Sequence, residues 1–279
     1  MKKILRVFPQ RTSYTPIDDF VCIGEPPNVR GWLPEYDEVH ISCCFTWDKT
    51  YCEHLKYQWQ GVTNKPVLLG GPAYNSPIDT FTPGMYVKQG VTFTSRGCNN
   101  ACEWCAVSER EGKIKELPVT VGNIIQDNNF LSTSIRHKNL VFEMLKSQKG
   151  ICFKGGLQAN LIDDHFIAGI AELKVKELWL ACDTDSALPA VINAIDKLTK
   201  AGYTKEHIMC YVLIGDDMNA NEKRLQAIFN AGALPRAQLY QPIDGDKIYY
   251  GQEWTSFNGR WCRPARTKAH MKQVFENAD

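Results

Sequence analysis

From residue 90 onward the chain alternates short apolar runs with amphipathic stretches of helical period, and this alternation restricts the fold more than any other feature. GVTFTS (90–95), VGNIIQ (121–126), GICFKGG (150–156), ELWLACD (177–183), IMCYVLIG (208–215) and RAQLYQ (236–241) read as strands. RHKNLVFEMLKSQ, DDHFIAGIAELKV, LPAVINAIDKLTKAG and NEKRLQAIFNAGA, which separate the later strands, read as helices. Asp163 or Asp164 supplies an N-cap for the second of these, and Gly202 a stop for the third. The strand runs are mostly continuously apolar, which indicates a parallel sheet buried on both faces. Eight such units close a barrel and six leave it open. The expected fold is α/β, a partial (β/α)6 TIM-like barrel over residues 90–245, with its chemistry at the C-terminal strand ends.

The flanks are less regular. In residues 1–89, KILRVFPQ, DEVHISCCFTWD and PVLLGGPAY look like strands and TYCEHLKYQWQ like a helix, a small N-terminal α/β extension. Residues 24–36 are expected to form an ordered loop over the barrel mouth, and residues 70–90 the connection into the barrel. Residues 246–279 form a basic tail or cap carrying Arg260, Arg263, Arg266, Lys268 and Lys272 around Trp261. Such a patch can engage phosphates and stack a base, so nucleic acid is one expected partner; a solvated helix or a cap on the barrel edge accounts for it equally. The formal net charge is only +1, too little for bulk electrostatic attraction to nucleic acid or membrane. No apolar run approaches a bilayer's width, and MKKILRVFPQRTSY lacks the apolar core of a signal peptide. The expectation is a cytoplasmic protein with no membrane partner.

The chain has 11 cysteines, an odd number in a large chain with no sign of export, so reduced thiols are a better reading than a disulfide framework. Cys152, Cys182 and Cys210 sit inside apolar runs and read as packing residues. Cys43 and Cys44 are adjacent, so on a strand they point opposite ways. Cys98, Cys102 and Cys105 differ. They lie in TFTSRGCNNACEWCAV, spaced C-x3-C-x2-C, directly after the first barrel strand. Three thiolates so close together converge only if a metal offsets their charge. Zinc wants a fourth ligand, usually from a second close pair, and none follows; Cys262 and the histidines are isolated. Three ligands with one open position suit an iron–sulfur cluster. A zinc site completed from a distance, or three packing cysteines, remain as the other readings.

The loop, with Trp104 just before its last cysteine, resembles the cluster loop of the radical S-adenosylmethionine (radical SAM) superfamily. The flanking TSRGCNNACEWCAVSEREGK is similar to the branch containing methylthiotransferases and cobalamin-associated radical enzymes. The resemblance implies a partial (β/α)6 barrel and a four-iron, four-sulfur (4Fe-4S) cluster held by Cys98, Cys102 and Cys105. It also implies that the cluster's fourth iron binds S-adenosylmethionine, which an electron then cleaves reductively to methionine and a 5′-deoxyadenosyl radical that takes hydrogen from a substrate. Cleavage of this kind asks for a potential on the order of −400 mV or below. An electron donor such as flavodoxin or ferredoxin is implied with it.

Cofactor contacts are expected at the strand ends. Many family members carry Gly-Gly-Glu after strand two; here Asp127-Asn128-Asn129 stands, and Asp127 and Asn128 are the candidates. Gly155 and Gly156 would let a ligand approach the backbone of strand three, with Gln158 and Asn160 beyond as hydrogen-bonding groups. Asp183 ends strand four. Strand five resembles a G-x-I-x-G-x-x-E segment near the adenine, keeping Gly215, with Leu213 for the isoleucine and Met218 for the glutamate. Trp104 is expected against the cluster or the adenine. The substrate is expected to be a small molecule or nucleotide, its identity left open. A cobalamin-dependent radical methyltransferase is the first alternative, although the Asp-x-His-x-x-Gly cobalt-ligand pattern is missing. A non-catalytic zinc or iron–sulfur binding protein is the second.

Overall fold

A computed structural model describes residues 2–28, 31, 33–74, 81–243 and 246–276. Parts of the loop 24–36 and of the connection 70–90, and the expected boundary at 245, therefore lie outside the described residues.

The first sheet is assembled from β1 (Ile4–Phe8), β2 (Val21–Ile23), β3 (Glu38–Ser42) and β4 (Val67–Gly70), all parallel, in the order β2-β1-β3-β4. Helix α1 (Lys49–Val62) lies between β3 and β4 in sequence. It buries Cys52, Leu55 and Trp59, one helical turn apart, against Leu5, Val7, Val39, Ile41 and Cys43. Cys43 is buried and Cys44 exposed, the opposite facing expected of neighbours.

The second sheet begins with β5 (Val91–Thr92). A two-stranded antiparallel ribbon follows, β6 (Ser95–Arg96) with β7 (Lys115–Glu116), and the short helix α2 (Val107–Arg110) lies in the segment it encloses. Next come β8 (Ile124–Ile125), α3 (Ile135–Lys146), β9 (Ile151–Leu157), α4 (Asp164–Ala171), β10 (Val175–Ala181), α5 (Leu188–Lys200), β11 (Ile208–Ile214), α6 (Met218–Ala231) and β12 (Leu234–Leu239). Strands β5, β8, β9, β10, β11 and β12 make one sheet in sequential order with every pairing parallel. All six strands expected from periodicity are present in a mixed α/β architecture. GVTFTS is broken into β5 and β6 because the Thr94 N–H leaves the ladder and donates to Asp127 Oδ1 at 2.6 Å.

The helix ends follow the local chemistry. Asp163 caps α4 by accepting from the Phe166 N–H at 2.8 Å. Gly202, at φ +93°, takes the left-handed turn beyond α5. The core pairs one face of the sheet (Phe153, Leu178, Leu180, Cys210, Val212) with the apolar sides of α3 to α6.

The tail folds into α7 (Gln252–Trp261) and α8 (Pro264–Glu276), which pack against the edge strand β12. Trp261 is fully buried and donates through Nε1 to Glu222 Oε2 at 2.9 Å, so it is a packing residue and not a platform for a base. Among the described residues no helix is long and apolar enough to cross a membrane.

Candidate functional site

The cysteine loop leaves the C-terminal side of β5 and is fastened at several points. At Gly97, φ +82°, a Cβ would lie 2.3 Å from the Lys113 carbonyl oxygen, so only glycine lets the two arms of the loop cross here. The Cys98 N–H donates to the Gly112 carbonyl at 3.0 Å. The Gly97 N–H is shared by Asn128 Oδ1 and Glu111 Oε2, each at 3.2 Å. Glu111 also pairs with Arg96, whose guanidinium lies 4.8 Å over the Phe93 ring.

Cys102 is exposed; Cys98 and Cys105 are partly exposed. The Cys98 sulfur receives two N–H donors, the Asn100 backbone and Asn129 Nδ2, both at 3.4 Å. Asn129 Nδ2 and Asn100 Nδ2 also donate to Gln158 Oε1, at 2.6 and 2.9 Å, and Gln158 Nε2 donates to Asn160 Oδ1 at 2.8 Å. An amide network thus ties the ends of β8 and β9 to the first cysteine. Burial, and then the neighbouring thiols, push the Cys102 and Cys105 thiols up; Cys98 and Cys105 act on Cys102, and Cys98 acts on Cys105. Thiols that oppose one another's ionisation gain most from a bound cation, and sulfur already receiving N–H donors suits a ligating thiolate. The donor set fits an iron–sulfur cluster in that sense. Among the described residues no three His, Cys, Asp or Glu side chains already converge as a metal site, so the loop would have to draw its thiols together around one.

The remaining expected residues divide into braces and open positions. Asp127 is buried, with both oxygens engaged: Oδ1 by the Thr94 N–H at 2.6 Å, Oδ2 by the Thr94 and Ser95 hydroxyls at 2.6 and 2.8 Å. Burial still pushes its carboxyl above the ordinary range. Its place is under the chain entering the cysteine loop. Asn129, two residues on, has a buried Oδ1 with no partner among the described residues. Gly155 is needed for packing within the protein, since a Cβ there would lie 1.6 Å from the Asp127 carbonyl oxygen. Gly156, at φ +93°, meets open space. Gly215, at φ +138°, lies under Tyr250, whose hydroxyl would be 2.6 Å from a Cβ. Asp183 accepts from the Leu213 N–H at 3.2 Å and from Trp104 Nε1 at 3.3 Å, which ties the loop's tryptophan to the ends of β10 and β11; burial pushes this carboxyl up as well.

A set on the other face of the sheet was not singled out in the sequence. Lys154, Trp179, Tyr211 and Arg236 lie on this face of β9 to β12; Arg236 is the register partner of Tyr211, whereas Trp179 pairs with Met209, two residues earlier on β11. Lys154 Nζ pairs with Glu177 at 3.0 Å, Trp179 Nε1 donates to Glu177 at 2.8 Å, and the Trp179 and Tyr211 rings lie 4.4 Å apart. The Arg236 guanidinium sits 5.4 Å over Trp179. Period-two alternation within the apolar strand runs was the available signal. The basic tail residues Arg260, Arg263, Arg266 and Lys268 are exposed; Lys268 pairs with Glu206 at 2.8 Å and Arg260 lies over Phe257.

No protein-family model matches the chain, and no curated protein matches it.

Proposed function

We propose that the chain is a radical SAM enzyme on a partial (β/α)6 barrel, with Cys98, Cys102 and Cys105 as ligands of a 4Fe-4S cluster. One observation carries the reading: a three-thiol loop leaves the first strand of a six-stranded, sequentially ordered parallel sheet at the end where such folds hold their ligands. The chemistry supplied by the bound groups is one-electron reductive cleavage of S-adenosylmethionine and hydrogen abstraction from the substrate.

The chain's own residues hold and shield. The three thiolates bind iron, while the Asn100 N–H and Asn129 Nδ2 reduce the charge on Cys98 and so tune the potential. Asp127 positions the loop through Thr94 and Ser95. The free Asn129 Oδ1 and the open backbone at Gly156 are the groups left for S-adenosylmethionine, with Gln158 fixing Asn129. Trp104, held by Asp183, closes one side against water. A cytoplasmic setting, a small-molecule or nucleotide substrate and a flavodoxin- or ferredoxin-type electron donor accompany this reading. With Trp261 buried, contact with nucleic acid through Arg260, Arg263, Arg266 and Lys268 would rest on charge alone.

The test is anaerobic reconstitution followed by reduction in the presence of S-adenosylmethionine. The expected result is 5′-deoxyadenosine and methionine, lost in Cys102→Ala and unchanged by added cobalamin. A colourless protein that binds zinc and leaves S-adenosylmethionine intact would overturn the reading in favour of a binding protein; dependence on cobalamin would favour the methyltransferase.

A further inference from the structure

The first sheet is covered unequally. Helix α1 packs on one face, through Leu55 and Trp59 against Val39 and Ile41. The register His40↔Leu68 and Ser42↔Gly70 places these residues together on the other face. Parallel sheets normally bury both faces against close-packed neighbours. Here the second face meets the chain around Phe81–Val87, Phe93 just after β5, and Arg96 on the β6–β7 ribbon, and between them lies a cavity of about 590 Å³. That volume falls within the range of small-molecule pockets.

The wall decides what would enter. It is mostly apolar, with Leu69, Phe81, Met85 and Phe93 contributing, and Phe81 meets Phe93 edge to face at 5.1 Å. Among the described residues its two basic side chains have partners inside the protein. Arg96 pairs with Glu111 through Nη2 and rests on the Phe93 ring, which leaves its buried Nε as a single donor without a partner among the described residues. His40 is held by the Tyr86 hydroxyl at 2.5 Å and by Glu38 at 3.2 Å. A charged occupant would find no free counter-charge on these groups and would lose its hydration against apolar surface.

We propose that this cavity between the two sheets is a binding site for a neutral, largely apolar small molecule. Arg96 on its wall stands two residues before Cys98, but none of the three cysteines lines the cavity, and the binding does not depend on the cluster reading of the loop.

The experiment titrates the full chain, before and after anaerobic reconstitution, with the neutral dye N-phenyl-1-naphthylamine and its anionic relative 1-anilinonaphthalene-8-sulfonate, following fluorescence. One saturable site for the neutral dye is expected, with the sulfonate at least about tenfold weaker. Thr82→Trp at an exposed position fills the cavity, and Leu68→Glu puts an unpaired carboxylate on its wall from a residue 51% exposed. Each should weaken the neutral dye by about tenfold or more without moving the melting temperature. No saturable binding, equal or tighter binding of the sulfonate, or unchanged binding in both variants would overturn the proposal. Dye binding that fails while the reconstituted cluster is intact refutes the cavity alone; a missing cluster with normal dye binding refutes the cluster reading alone.

Discussion

Cys43 and Cys52 are both 0% exposed in the core between the first sheet and α1, and the Cys43 thiol donates to the Phe45 carbonyl at 3.3 Å. Cys98, Cys102 and Cys105 belong to the same chain and are held quite differently, on a loop outside both cores. The first pair behaves as small apolar side chains whose burial stabilises the sheet. The loop adds little apolar burial, yet it is fastened by Gly97, Arg96–Glu111, Asn128 and the amide network around Gln158. Fastening a loop whose thiols are exposed or half-exposed makes sense as presentation to a ligand, not as packing.

That contrast can be broken by substitution. On the proposed radical SAM reading, Cys102→Ala should have the largest effect, reducing S-adenosylmethionine cleavage to background in the reconstituted chain, as measured by 5′-deoxyadenosine release. Next is Gly155→Ala, which drives a methyl into the Asp127 carbonyl and should cost about 3 kcal/mol or more of unfolding free energy in urea titration. Asp127→Asn should cost about 1–2 kcal/mol at neutral pH, because an amide cannot accept from all three donors at Thr94 and Ser95. It should also change the pH dependence. The folded carboxyl is raised above its ordinary value of 3.8, so the stability linked to protonating it is fully present below that value and is lost as pH rises through the folded pKa, leaving the hydrogen bonds from Thr94 and Ser95 at neutral pH. The difference in stability between wild type and Asp127→Asn should therefore shift across that acidic window, and a flat difference would refute the burial argument. Gly156→Ala, with open space but φ +93°, should cost only about 1–2 kcal/mol. The smallest effect expected is Cys102→Ala on the unloaded protein, within about 0.5 kcal/mol of wild type; a loss comparable to that of a buried cysteine would erase the distinction between the two groups of thiols.

Much of this was legible in the sequence because it is local. Strand positions came from apolar runs, the α4 cap from Asp163 and the α5 stop from Gly202, each within a few residues of the feature it sets. The cysteine spacing is equally local. What sequence could not give depends on distant partners. Asp127 looked free for a cofactor, but its partners lie more than 30 residues earlier, at Thr94 and Ser95. Gly155 looked like room for a ligand, and the protein's own backbone occupies that room. Trp261 reads as an exposed aromatic among arginines until α7 turns it onto β12 and α6. The six-strand order follows from periodicity and chain handedness, whereas which polar residue faces open space requires the fold.

The most direct test of the central claim is the iron and acid-labile sulfide content of the anaerobically reconstituted wild-type chain beside its Cys98→Ala, Cys102→Ala, Cys105→Ala triple variant. About four iron and four sulfide per wild-type chain are expected, with almost none in the variant. Equal iron in both proteins, or zinc in place of iron in the wild type, would contradict it.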